Sequence, residues 1–387
     1  MNAERLHAIV IALNQEMTKG NVAGKVQELV NALQNVVNQA HPSHQETLAA
    51  SRKAMFAAVT DTPSDKFSPT WRQILSEIGG EDFFGNKLKE NIEAVFARNQ
   101  ITPAVALTEL QELLNRLQNF KKALEEAASA FRLFKIGDEK LVPGNCEIGA
   151  LIPRDAIDNR LLDFAKELNE LGFILNTFSE LATGKKDELA IRTISSSDLL
   201  VYLEAAAPYA ACVALAIERI VSIYKQLLEI PKHHAELRKL GVPDNQIAGI
   251  ENHANKLMGD GIEKITVEIV DEFYKGNDKG RKHELTNSVR ISLNRIANRI
   301  DRGFNLEVRV EPLTKRDQQT ENEELQKAIA LIQSAAANMQ FLKLEGQPVL
   351  KLPEGKEKTT KKGDRDHQVL EGGPVPFKGK EKPKMKE

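Results

Sequence analysis

The residues most able to do chemistry by type and spacing lie between Lys279 and Arg302 (KGRKHELTNSVRISLNRIANRIDR). Lys279, Arg281, Lys282, Arg290, Arg295, Arg299 and Arg302 stand there against only Glu284 and Asp301. Leu285, Val289, Leu293, Ile296 and Ile300 recur at helical spacing and form an apolar stripe. At 100° per residue, Arg281, Arg295, Arg299 and Arg302 fall along one edge of that stripe. Asn287, Asn294 and Asn298 lie just beyond it. Guanidinium forks match phosphate oxygens, so such a ridge is a candidate phosphate or nucleic-acid surface. The same pattern also suits arginines that cover a core edge and pair with acids on a neighbouring helix. Glu263, Glu268 and Asp271 are the upstream candidates for that pairing.

Other chemistry has weaker signals. His41 and His44 (HPSH) and the adjacent His233 and His234 lack cysteines or a second histidine pair at zinc-ligand spacing, so no metal site is expected. Ser195, Ser196 and Ser197 have no Gly-x-Ser-x-Gly elbow around them and read, with Asp198, as turn residues. Cys146 and Cys212 have no cationic activator nearby in sequence and read as small core residues. Neither phosphate-loop nor dinucleotide glycine pattern occurs, and Gly184-Lys185-Lys186 follows a helical run where a phosphate cradle would precede one. The pairs Glu125-Glu126 and Glu323-Glu324 read as solvated faces. No cofactor is expected.

The elements that hold these residues follow from periodicity. Residues 1–101 read as a domain of short helices, with Leu6, Ile9, Val10 and Leu13 on one face and Val26, Leu29, Val30, Leu33, Val36 and Val37 on another. Asp61 to Pro69 (DTPSDKFSP) reads as a loop. Residues 102–137 read as a long connecting helix capped by Thr102 and started by Pro103. Its seam, Leu110, Leu113, Leu117, Phe120, Leu124, Ala127, Phe131 and Phe134, has heptad spacing. A second heptad seam runs Ile157, Leu161, Phe164, Leu168, Leu171, Leu175 and Phe178, on a helix capped by Asp155.

Strands are expected at Cys146–Ile152 (CEIGALI), Leu189–Ser195 (LAIRTIS), Leu199–Leu203 (LLVYL) and Phe304–Val310, the last alternating apolar and polar residues. Helices are expected at about 208–228, 244–258, 260–274 and 279–302. The fold class is therefore α+β and predominantly helical. Residues 144–316 form an embellished ferredoxin-like (split β-α-β) module with a long helical insertion. Both helical layers then cover one sheet face. The other face carries Glu147, Arg192, Tyr202, Glu204, Glu307, Arg309 and Glu311, free to meet another protein or to be covered by the N-terminal helices. Residues 321–352 form a C-terminal helix and extension, and residues 353–387 a disordered lysine-rich tail.

Composition narrows the partners. Hydrophobic residues make up 41% of the 387, enough for substantial cores, while aromatics are only 5%. The net charge of −2 gives the whole molecule no electrostatic preference. No apolar stretch reads as long enough to span a bilayer, and no secretory signal is expected. Two cysteines make no disulfide framework, so a cytoplasmic home is expected. These readings lead to a non-enzymatic cytoplasmic interaction or scaffolding protein that self-associates through its heptad-patterned helices. The expected partner is another protein or a second copy. Nucleic-acid or phosphate binding by the Arg/Asn ridge is the alternative. An enzyme whose site is assembled from scattered residues is the third.

Overall fold

The computed structural model describes residues 3–39, 41–138, 141–195, 199–230, 244–313, 323–339, 341–342 and 347–355, with three isolated positions between 231 and 243. Ser196, Ser197, Asp198, His234 and the lysine-rich segment 356–387 lie outside the described residues.

The N-terminal region is helical. Helices α1 (Ala3–Lys19) and α2 (Val22–Asn38) are separated by Asn21, whose φ of 44° breaks the helix at a residue type that tolerates the left-handed region. Helix α3 (Pro42–Ala58) starts at proline. His41 is its N-cap, its Nδ1 accepting from the Ser43 N–H at 3.2 Å. The sequence DTPSDKFSP contains a 3₁₀ turn at Pro63–Lys66. Helices α4 (Pro69–Glu77), α5 (Gly85–Arg98) and α6 (Pro103–Leu133) follow. Thr102 makes no side-chain cap; its hydroxyl donates instead to Asn99. The heptad residues Leu110, Leu113, Leu117 and Leu124 of α6 are buried with Ile9, Leu13, Leu29 and Ile92 in one core. Phe134, the last residue of that seam, is exposed.

Four strands form one antiparallel sheet in the order β2-β3-β1-β4: β1 (Cys146–Ile152), β2 (Ile191–Ser195), β3 (Leu199–Ala205) and β4 (Asn305–Val310). In register, Ile148 stands opposite Leu203 and Val308, and Gly149 opposite Tyr202 and Glu307. The period of two then sorts the faces. Cys146, Ile148, Ala150, Val201, Leu203 and Val308 share one core with the helices that follow. Glu147, Tyr202, Glu307 and Arg309 point to the other side.

Between β1 and β2 runs α7 (Leu161–Thr183). The expected start at Asp155 is corrected: residues 154–157 form a 3₁₀ turn, and Asp158 and Asn159 adopt positive φ of 48° and 51°, which interrupts the helix. Leu171, Leu175 and Phe178 of the second seam are buried within the chain, whereas Leu161 is 80% exposed. Both seams therefore pack largely inside one subunit.

Helix α8 (Ala207–Leu227) crosses the middle of the second core. By length and composition it is apolar enough to cross a membrane, contrary to the sequence expectation, and about two thirds of its most apolar window (67%) is buried inside the protein. That burial is the mark of a central core helix. Two helices expected at 244–258 and 260–274 are one continuous helix, α9 (Asp244–Phe273). Gly261 serves a close approach: a Cβ there would lie 2.3 Å from Ile223 of α8. Helix α10 (Lys279–Asp301) leads into β4. Helix α11 (Glu323–Asn338) returns towards the N-terminal helices, where Arg72 of α4 donates to the carbonyls of Ala336, Ala337 and Met339. One guanidinium thereby satisfies carbonyls that the end of a helix leaves without partners.

Candidate functional site

The polar face of the sheet is closed by α1 and α4. Arg5 of α1 reaches Glu147 of β1, Nη1 donating to Oε1 at 2.8 Å and Nη2 to Oε2 at 3.4 Å. Arg309 of β4 donates from Nε to the same Oε1 at 2.9 Å, and Arg192 of β2 approaches Oε2 at 3.5 Å. Glu147 is fully buried. Burial pushes its carboxyl up, but Arg309 and Arg5 outweigh that and hold it below the usual carboxylate range. The guanidinium of Arg5 also lies 3.5 Å from the centroid of the Tyr202 ring.

The neighbouring carboxylate, Glu307, meets the N-terminus of α4. It accepts the Thr70 N–H at 2.8 Å and the Tyr202 hydroxyl at 3.1 Å. A negative group at that end of a helix is stabilised by its dipole. Gly149 permits this arrangement, since a Cβ there would sit 2.7 Å from the Tyr202 ring and 3.0 Å from Glu307. This face is thus an internal layer, covered by the N-terminal helices.

The ridge of α10 is built differently. Asp278 caps the helix by accepting the N–H groups of Gly280 and Arg281. The stripe Leu285, Val289, Leu293, Ile296 and Ile300 is buried. That burial fixes the ridge against α7. Arg295 and Arg299 are only 4% and 6% exposed. Arg295 pairs with Glu170 at 2.8 Å and lies over the Phe173 ring. Arg299 pairs with Glu167 at 2.8 Å and with Glu170 at 3.3 Å, and Arg302 reaches Glu167 at 3.2 Å. Arg281, 44% exposed at its side chain, contacts Glu180 and Glu284. The guanidinium groups expected to meet phosphates are committed to carboxylates of the same chain. Glu167, Glu170 and Glu180 stand on α7, and Glu284 on α10 itself. Of the acids named from sequence, Glu263 pairs with Arg290 and Asp271 with Lys282, away from the ridge proper.

The asparagines hold main chain. Asn298 donates from Nδ2 to the Leu352 carbonyl and accepts the Leu352 N–H at Oδ1, both at 3.0 Å. Asn255 of α9 does the same across two residues, donating to the Val349 carbonyl at 3.1 Å and accepting the Lys351 N–H at 2.7 Å. Asn294 donates to the Pro353 carbonyl at 2.8 Å, and Arg295 to the Glu354 carbonyl at 3.0 Å. Asp301 accepts the N–H groups of both Val349 and Leu350 at 2.6 Å, together with the Tyr224 hydroxyl. Val349, Leu350 and Leu352 are buried in the second core. Residues 349–354 therefore lie as an irregular strap along α9 and α10, with side chains bonded to the N–H groups of 349–352 and to the carbonyls of 349 and 352–354. Pro353 and Glu354 belong to this strap.

The sequence brought Asn294, Asn298, Arg295, Arg299 and Arg302 to one face, and the structure keeps them there. It missed Asn255, Asp301 and the strap. The spacing Asn294, Asn298, Asp301, stepping by four and three along one helix face, was the available signal.

Both cysteines are buried. Burial pushes the Cys146 thiol up to about 12 and holds the Cys212 thiol well above its ordinary value. No cluster of three or more metal-ligating side chains occurs among the described residues. Comparison with protein-family models, with curated proteins and with solved structures finds no match to this chain.

Proposed function

We propose that this is a non-enzymatic interaction protein whose binding element is the α9/α10 groove, a reader of extended peptide main chain. Its own segment 349–354 occupies the groove in cis. Self-association arises when that segment enters the groove of a second copy. The observation that carries this reading is the paired use of Asn255 and Asn298, each of which takes one N–H and one carbonyl from the strap. Main-chain recognition of this kind gives affinity, while apolar side chains such as Leu350 and Leu352 give specificity. The strand order β2-β3-β1-β4, with helices between β1 and β2 and between β3 and β4, supports a ferredoxin-like core as the scaffold. The two unpaired, buried cysteines suit a cytoplasmic setting.

The test uses the full chain with Leu350→Asp and Leu352→Asp, which expel the strap. A labelled peptide spanning residues 347–355 should bind this variant and not the wild type, where the tethered strap competes at high effective concentration. Adding Asn255→Ala and Asn298→Ala should abolish the binding. Failure of the folded strap variant to bind the peptide would refute the groove. Light scattering on a sizing column tests exchange: a strict monomer at every concentration would refute self-association.

A further inference from the structure

The strap groove holds more than main chain. N–H and carbonyl groups recur at every residue, so main-chain bonds alone would let a segment slide along α9 and α10. Two side chains of the strap are held as well, and they carry opposite charge. Lys351 donates from Nζ to Oε2 of Glu251, on α9, at 3.0 Å. Glu354 accepts at Oε1 from Asn298 Nδ2 at 2.8 Å, and its Oε2 lies 3.9 Å from Arg299 Nη1. Both charged strap side chains can be reached from solvent, Lys351 being 74% and Glu354 38% exposed.

Asn298 ties the charge at 354 to the main chain at 352. Its Oδ1 accepts the Leu352 N–H, and its Nδ2 donates both to the Leu352 carbonyl and to the Glu354 carboxylate. Both amide hydrogens are thus in use. Arg295 adds an Nε bond to the Glu354 carbonyl at 3.0 Å. Arg299 is already shared between Glu167 and Glu170, so its pull on Glu354 is a weaker, longer-range one and the direct bond from Asn298 dominates. Between the two charges, Leu352 is buried and Pro353 is exposed. Side chains bond the N–H groups of 349 to 352, and at 353 proline has none to offer while it keeps Leu352 extended.

Resting on the groove reading, we infer that the groove selects its occupant by charge and fixes its register: two apolar residues, a basic residue, an apolar residue, proline and an acid, docked as Val349–Glu354 are. The spacing of the charges enforces the register. Slid by three residues in one direction, the segment sets its lysine beside Arg295 and Arg299. Slid by three in the other, it sets its glutamate against Glu251. Either slip brings like charges together, a cost that the main-chain bonds alone would not impose. The strap of a second copy carries this pattern and is the occupant that the groove selects.

Labelled peptides spanning residues 347–355, titrated into the full chain with Leu350→Asp and Leu352→Asp, separate charge reading from main-chain reading, because every peptide offers the same main chain. The parent peptide should bind. Glu354→Lys in the peptide should weaken binding about ten-fold, through loss of a hydrogen bond to a charged group. Lys351→Glu should weaken it about three-fold, since that pair is largely solvated, and Glu251→Lys in the chain should restore it. No binding of the parent peptide overturns the groove itself and the charge reading with it. A parent that binds, with both charge-reversed peptides within about two-fold of it, overturns the charge reading alone and leaves the groove standing. The native strap gives a second readout that does not require its expulsion. Glu354→Lys in the otherwise unaltered chain should speed hydrogen exchange at residues 349–352 about ten-fold while β1 stays protected. Unchanged exchange at those residues overturns the charge reading.

Discussion

Two regions of this molecule gather arginines around carboxylates, and they use them to opposite ends. On the polar face of the sheet, Arg5, Arg192 and Arg309 converge on Glu147, side chain to side chain, between layers that are 142 residues apart in sequence where Arg5 meets Glu147. On α10, Arg295 and Arg299 are neutralised by Glu167 and Glu170, and the neighbouring polar atoms turn outward to main chain. The first arrangement specifies one partner, because the groups that meet are unique. The second is tolerant of sequence, because every peptide offers N–H and carbonyl groups. A lock and a reader thus arise from similar residues, separated by whether the partner is a side chain or a backbone.

Removing the charge at the centre of the lock should have the largest effect. Glu147→Ala leaves Arg5 and Arg309 buried without their shared carboxylate. Breaking a buried pair by removing one partner costs about 3–5 kcal/mol. Chemical denaturation should show a loss of that size, with the α1 and α4 layer released from the sheet. A loss below about 1 kcal/mol, the value of an exposed pair, would show that the cluster is solvated. Tyr202→Phe probes the same layer more gently. It removes the hydroxyl that donates to Glu307 while the ring under Arg5 stays, so about 1 kcal/mol is expected.

The reader should respond locally. Asn298→Ala strips partners from both the N–H and the carbonyl of Leu352, and Asn255→Ala does so for Lys351 and Val349. Each should lower stability by about 1–3 kcal/mol. Hydrogen exchange should show the loss concentrated at residues 349–354, with the sheet still protected. Equal deprotection of β1 and the strap would mean that the strap is an integral part of the core and cannot exchange.

The contrast also explains what the sequence revealed. Strand β4 was legible because its period of two is unbroken from Phe304 to Val310, and the α10 stripe because five apolar residues repeat at helical spacing. The polar face was read as open or covered, and only the tertiary position of α1 decides between those: nothing local to Glu147 names Arg5 as its partner. The role of Gly261 was not legible, since a glycine needed for close approach to Ile223 looks the same in sequence as one needed for a turn. Asn294 and Asn298 were placed on the correct face, but an asparagine that will bind main chain is indistinguishable in sequence from a solvated one. The acids of α7 were overlooked because periodicity marks an apolar seam more clearly than the charges flanking it.

The smallest expected effect is also the cleanest separation of the two regions, because their central carboxylates respond to pH with opposite sign. Glu147 is held below its ordinary value of 4.5. Its contribution to stability is complete above that value and is lost as pH falls through the lowered one. Asp301 is raised above its ordinary value of 3.8 by burial, despite bonds from Tyr224 and from the Leu350 and Val349 N–H groups and the charge of Arg302. Its ionisation is disfavoured in the folded chain. The stability linked to it is complete below 3.8 and declines as pH rises through the raised value. Moving from neutral pH into the acid range should therefore weaken the lock while easing the penalty at the strap. Asp301→Asn removes the titration and should flatten the pH dependence of exchange at residues 349 and 350, leaving the acid-side loss at Glu147 in place. If the strap and the α1 layer instead lose protection together as pH falls in the wild type, one titrating centre governs both and the distinction between lock and reader fails.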